Sequence, residues 1–187
     1  MRYLALFLFI CSVATSQEKE WRVEKVGKVT TVSINGDIQF GDVLMFWMKK
    51  NNNKCDILGH TFTFYTTEKN PKIVNLKNKL IPIKIKGEKY NDGKIYANVT
   101  YLSPFLLGHR LTLSLGQYKV GQHIEYLAKH KTFDVTIIDA FENSKEQKNI
   151  LQNFKVEDYF DIKNNSWSLK GLQDAILKGQ QLCMKQK

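Results

Sequence analysis

After its N-terminus the sequence has no apolar stretch approaching the roughly 20 residues a helix needs to cross a bilayer. A membrane-spanning helix beyond that point is excluded. Cysteine is scarce: three in 187 residues, with no closely spaced pair to suggest zinc. His-Glu-x-x-His, the Gly-x-Ser-x-Gly elbow, the P-loop and the dinucleotide fingerprint are all missing. No local motif therefore marks a metal, a nucleophile or a nucleotide cofactor, and no nucleic-acid-binding motif is present. These absences lead to the expectation of a non-catalytic protein with no cofactor, no metal and no nucleic-acid partner.

The four histidines do not alter that reading. His123 and His130 are seven residues apart and would face opposite sides of one strand. His60 and His109 occupy matching places in an internal echo, Leu58-Gly59-His60 against Leu107-Gly108-His109. They could meet across a sheet, but two ligands make a poor metal site. Glu157, Asp158 and Asp161 read as a solvated turn rather than as the spaced acid pair of a glycosidase.

What the sequence does have begins at residue 1. Met1 to Ser16 is laid out as a signal peptide. Arg2 is the basic start, Tyr3 to Val13 is apolar, and Ala14 and Ser16 supply the small residues before a cut at Gln17. The expected mature chain, 17–187, has a length suited to one domain. Export makes it a secreted, extracellular protein. Cys11 leaves with the signal peptide, so Cys55 and Cys183 remain and are expected to form one disulfide. Asn98-Val99-Thr100 and Asn164-Asn165-Ser166 fit the N-glycosylation pattern, which makes Asn98 and Asn164 the expected acceptors. The formal net charge is +10, which falls to +9 when Arg2 is removed. It suits a soluble surface or attraction to anionic partners such as sulfated glycans.

Period-2 alternation recurs through residues 17–140, the signature of half-buried strands. Ile81-Ile83-Ile85, Ile95-Ala97-Val99-Tyr101, Leu111-Leu113-Leu115 and Phe133-Val135-Ile137 each alternate with mostly polar residues. Pro82 cannot donate to a ladder, which predicts an edge strand there. Val43 to Met48 is apolar on both parities and predicts a strand covered on both sides. Asn35-Gly36 predicts a tight hairpin, and Asn51-Asn52-Asn53 and Asn91-Asp92-Gly93 predict loops. Leu102 to Leu107 predicts an apolar loop that would mark a contact surface if exposed. After Ala140 the pattern turns helical over about 144–184. A short helix is expected from Ser144 and a better one over Ser168 to Met184, capped by Ser168, with Leu169, Leu172, Ile176, Gly179 and Cys183 on one stripe.

The expected fold is mainly β: an antiparallel sandwich or barrel of about eight strands with a C-terminal α-helix. Phe46, Phe62, Phe64, Tyr101 and Phe133 are the candidate aromatics of a ligand pocket. The expected function is extracellular binding, with a small apolar ligand as the favoured partner and an extracellular protein or anionic glycan as the alternative. In outline the chain resembles a lipocalin, a secreted up-and-down barrel with a helix after its last strands. The Gly-x-Trp of that family's first strand is not matched, because Trp21 follows Lys19 and Glu20. No residue role is carried over.

Overall fold

The computed structural model describes residues 20–39, 41–67, 71–141, 151 and 153–186. The expected signal peptide, and residues 144–150 and 152 of the expected short helix, lie outside the described residues. The chain forms nine antiparallel strands in one curled sheet that makes a half-barrel, with a helix at the C-terminus. The strands are β1 (Arg22–Val26), β2 (Val29–Asn35), β3 (Val43–Met48), β4 (Ile57–Thr66), β5 (Leu80–Ile85), β6 (Lys94–Phe105), β7 (Gly108–Lys119), β8 (Thr132–Ile137) and β9 (Asn164–Ser168). Helix α1 spans Val120–Leu127 and α2 spans Leu172–Met184.

Neighbours in the sheet run β1-β2-β3-β4-β7-β6-β5-β8-β9. This corrects the up-and-down order implied by the lipocalin outline, because the β5-β6-β7 meander is inserted in reverse between β4 and β8. Alternation places Val32, Ile34, Leu44, Phe46, Phe62, Phe64, Leu111, Leu113, Phe133 and Val135 on the concave face, all 3% exposed or less. β3 is covered unequally. Leu44, Phe46 and Met48 are buried, while Val43, Met45 and Trp47 are half-buried on the convex face. Trp47 lies across Gly59, its cross-strand partner, where a Cβ would sit 2.0 Å from the indole ring.

β5 is not an edge strand. It lies between β6 and β8, yet Pro82 is tolerated for a local reason. The β8 ladder reaches only Ile83, Lys84 and Ile85, and the Pro82 carbonyl accepts from Ile138 N–H at 3.1 Å. The missing N–H therefore falls where the neighbouring strand has ended. The Asn35-Gly36 hairpin is also wider than expected. Residues 36–42 form a loop closed by Gly36 N–H to the Asp42 carbonyl at 2.7 Å. Asn52 and Asn53, with φ of 47° and 56°, make the expected turn after β3. The apolar segment 102–107 is mostly strand. Only its tip turns, at Leu106 (φ 51°) and Leu107, which are 83% and 87% exposed.

The C-terminal region departs most from expectation. The stretch expected to be largely helical holds a short 3₁₀ turn at Val156–Asp158 and strand β9 before α2 begins. Ser168 ends β9, and the residue before α2 is Gly171 in a left-handed conformation (φ 77°). Helix α2 lies across the concave side of β1 to β3 and buries Leu172, Ala175, Ile176, Gly179 and Cys183. The Cys55–Cys183 disulfide pins its last turn, with both cysteines buried. Lys50 Nζ donates to the carbonyls of Met184 and Gln186 there, at 3.3 and 2.8 Å.

Gly179 sets the distance between helix and sheet. A Cβ there would lie 2.7 Å from Val32 Cγ2 and 2.6 Å from Met48 Cε. Met48 can swing its end, but Val32 is β-branched on a paired strand and cannot. Gly179→Ala is expected to destabilise by about 1–2 kcal/mol despite the helix-propensity gain of about 1 kcal/mol. Gly121→Ala in α1, whose Cβ meets nothing within 4 Å, is expected to stabilise slightly. Urea unfolding of the two variants would show opposite signs; a gain in both would refute the close helix–sheet contact.

Candidate functional site

The concave face gathers aromatic rings from four strands. Phe46 (β3), Phe62 and Phe64 (β4), Phe133 (β8) and Trp167 (β9) are between 0% and 3% exposed. Phe62 touches Phe64, Phe133 and Trp167 at centroid separations of 6.0, 5.9 and 5.8 Å. Four of the five expected pocket aromatics are thus brought together. Tyr101 is the exception, at 59% exposure on the convex face. A bulge between Val99 and Tyr101 inserts Thr100 into β6, so both Thr100 and Tyr101 face outward and Leu102 takes the inner place. Continuing the strict alternation past Val99 assigns Tyr101 to the wrong face.

Polar groups are set among these rings. His60, 1% exposed, comes from β4 beside a bulge at His60/Thr61. Its ring lies 4.7 Å from Phe46 and 4.8 Å from Phe133. His60 Nδ1 and His123 Nε2 are hydrogen-bonded at 2.9 Å. His123 belongs to α1, which the sequence pattern had suggested was strand, and it stacks face to face on Tyr118 at 4.1 Å. Burial, with His123 as a second cause, holds His60 well below the usual imidazole range. Burial alone lowers His123 to about 4. Both rings are neutral at pH 7, so one donates and the other accepts. His109 does not join them. It sits in β7 opposite Thr66 and Pro104.

The neutral pair leaves His60 Nε2 buried with no hydrogen-bond partner, and Trp167 Nε1 is in the same condition. The Trp167 ring, like that of His60, lies within 7 Å of both Phe62 and Phe133. Two places along β9 from Trp167, buried Asn165 donates from Nδ2 to Asp42 Oδ2 at 3.0 Å, while its Oδ1 accepts from the backbone N–H of Ile38 and Gln39. Asp37 N–H donates to the Ser166 carbonyl at 2.7 Å, so the 36–42 loop is sewn to β9. Asp42 is fully buried, and burial raises its carboxyl to about 7; the Asn165 hydrogen bond, the Tyr65 backbone and Arg110 oppose that shift in part. Asp42 Oδ1 has no hydrogen-bond partner.

A scan against protein-family models finds no match, and searches of curated proteins and of solved structures find none either. The reading therefore rests on the geometry. Among the described residues no group of three His, Cys, Asp or Glu side chains is placed to hold a metal ion, and no helix is long and apolar enough to cross a membrane. Asn98 and Asn164, the sequon asparagines, are both exposed, on β6 and on the edge strand β9.

Proposed function

We propose that the chain is an exported, glycosylated, non-catalytic binding protein. On this reading it carries a small ligand with an apolar body and a hydrogen-bonding group on the concave face of its half-barrel. One observation carries the reading: His60 Nε2 and Trp167 Nε1 are buried in a wall of aromatic rings with no protein partner. A buried polar atom left unpaired costs about 1–3 kcal/mol, and a sheet needing only an apolar core would fill these places with phenylalanine or leucine. A ligand that pairs with one of them recovers that loss, and the rings bury its apolar body. The rings touch one another, so this reading requires them to part around the ligand. Export is supported by the disulfide, since such bonds persist in oxidising compartments, and by the exposure of both sequon asparagines.

The test is a titration with cis-parinaric acid, a fluorescent fatty acid, followed by displacement with a lipid extract. Saturable one-to-one binding is expected. Trp167→Phe, which removes the indole N–H and keeps an aromatic ring, is expected to weaken it about fivefold, the equivalent of one hydrogen bond of about 1 kcal/mol. Absence of saturable binding by the folded protein would overturn the reading.

A further inference from the structure

A second binding feature lies outside the barrel, where β5 leaves the sheet. The segment Lys84 to Lys94 carries four lysines in eleven residues. Lys84 faces Lys94 directly across the β5–β6 ladder and Thr136 across the β5–β8 ladder. Like charges opposed in this way destabilise a sheet by a few tenths of a kcal/mol or more, so the fold does not need them there. Lys84, Lys86 and Lys89 line an open groove of about 670 Å³ together with Thr136 and two acids, Glu88 and Asp92.

One acid is held from outside the groove and the other pairs with a groove lysine, offsetting part of its charge. Glu88 Oε2 accepts from the Tyr126 hydroxyl at 2.7 Å. Asp92 is bound by Lys84 at 3.1 Å, which lowers its carboxyl below the usual range, with Lys94 adding to the effect. Lys86 is 83% exposed and approaches Asp134 only to 3.9 Å. His130 packs under Gly87, where a Cβ would meet its ring at 3.2 Å, and Lys129 and Lys131 flank it in sequence. Three lysines therefore line one depression at one end of the sheet, and Lys94 lies opposite Lys84 across the β5–β6 ladder. Among the described residues none of the strongly exposed large apolar side chains lines it, so it offers nothing to insert into a bilayer or to stack on a base.

We propose that this groove binds a linear sulfated polysaccharide. Lys84 at the end of β5, Lys86 in the turn after it and Lys89 beyond Gly87 present separate point charges to the same groove, an arrangement suited to several sulfates of one chain. The site is separate from the concave face and does not depend on the carrier reading.

The experiment uses the full mature chain and heparin. Wild type is expected to bind with an affinity that falls steeply with salt. A groove triple, K84Q/K86Q/K89Q, is expected to weaken binding about tenfold and to flatten the salt dependence. The charge-matched control K25Q/K28Q/K178Q, placed on the β1–β2 hairpin and on α2, is expected to change it less than twofold. Thermal unfolding of both triples confirms that they fold, and single substitutions replace the triple if it does not. Equal weakening by the two triples would show that net charge and not the groove is responsible, which overturns the proposal. Groove-dependent binding to phosphatidylserine vesicles with none to heparin would overturn it too.

Discussion

Removing the Cys55–Cys183 bond is expected to lower the stability of the fold by about 4–5 kcal/mol. The bond spans 128 residues. In the chain-entropy description, closing a loop of that size restricts the unfolded chain by about that amount. In a domain of this size, each kcal/mol corresponds to about 2–4 °C, so the melting temperature should fall by about 10 °C or more. The effect is concentrated at α2. Packing at Gly179, the Lys50 contacts to the last carbonyls and the 3.0 Å hydrogen bond from Gln180 to the Cys55 carbonyl all lie near the bridge. The double variant C55A/C183A should therefore lose hydrogen-exchange protection first in α2. A loss below about 1 kcal/mol would show that the helix is held by packing alone.

The second large effect is expected at Asp42 and depends on pH. Its carboxyl titrates at about 7 in the fold against 3.8 in the unfolded chain. The folded state thus holds a proton that the unfolded chain releases. Stability is eroded as pH rises from about 4 to about 7, by about 4 kcal/mol in full, and is recovered as pH falls. Asp42→Asn stays neutral, and its side-chain oxygen can still accept from Asn165. The variant should be more stable than the native protein at pH 8, by up to about 4 kcal/mol, and should have no advantage near pH 4. His123 works in the opposite direction. With a folded pKa of about 4 against 6.5, it contributes stability above about pH 6.5 that is lost as pH falls toward 4. In the native protein the two slopes oppose one another between these values. In the variant the acid-side loss stands alone. Urea unfolding at pH 4, 6 and 8 separates these contributions, and a pH-independent difference between the two proteins would contradict the buried carboxyl.

These features were unequally legible in the sequence. β5 and β8 follow from apolar alternation because the pleat has a period of two, and β3 follows from its run of apolar residues. Alternation found Phe62, Phe64 and Phe133, and the apolar run of β3 contained Phe46. Alternation failed at Tyr101, since a one-residue bulge reverses every later side chain without any change in composition. Helix α1 was hidden because VGQHIEYL is short and contains a glycine. β9 was hidden because NNSWS is polar except for Trp167. The histidine pair joins positions 63 apart, and the Asp42–Asn165 bond joins positions 123 apart. Local pattern carries no information about such meetings. They are set by the reversed insertion of β5-β6-β7, which depends on how the meander docks and not on any one segment's propensity.

Mass spectrometry of the protein expressed in animal cells and recovered from their medium, sprayed under native conditions and then denatured, tests the proposed concave-face ligand most directly. The expected spectrum shows the chain beginning at Gln17 with an additional small molecule that is released on denaturation and retained at lower occupancy in Trp167→Phe. A folded native chain whose mass is accounted for by polypeptide and sugars alone, and which takes up nothing from a lipid extract, would contradict it.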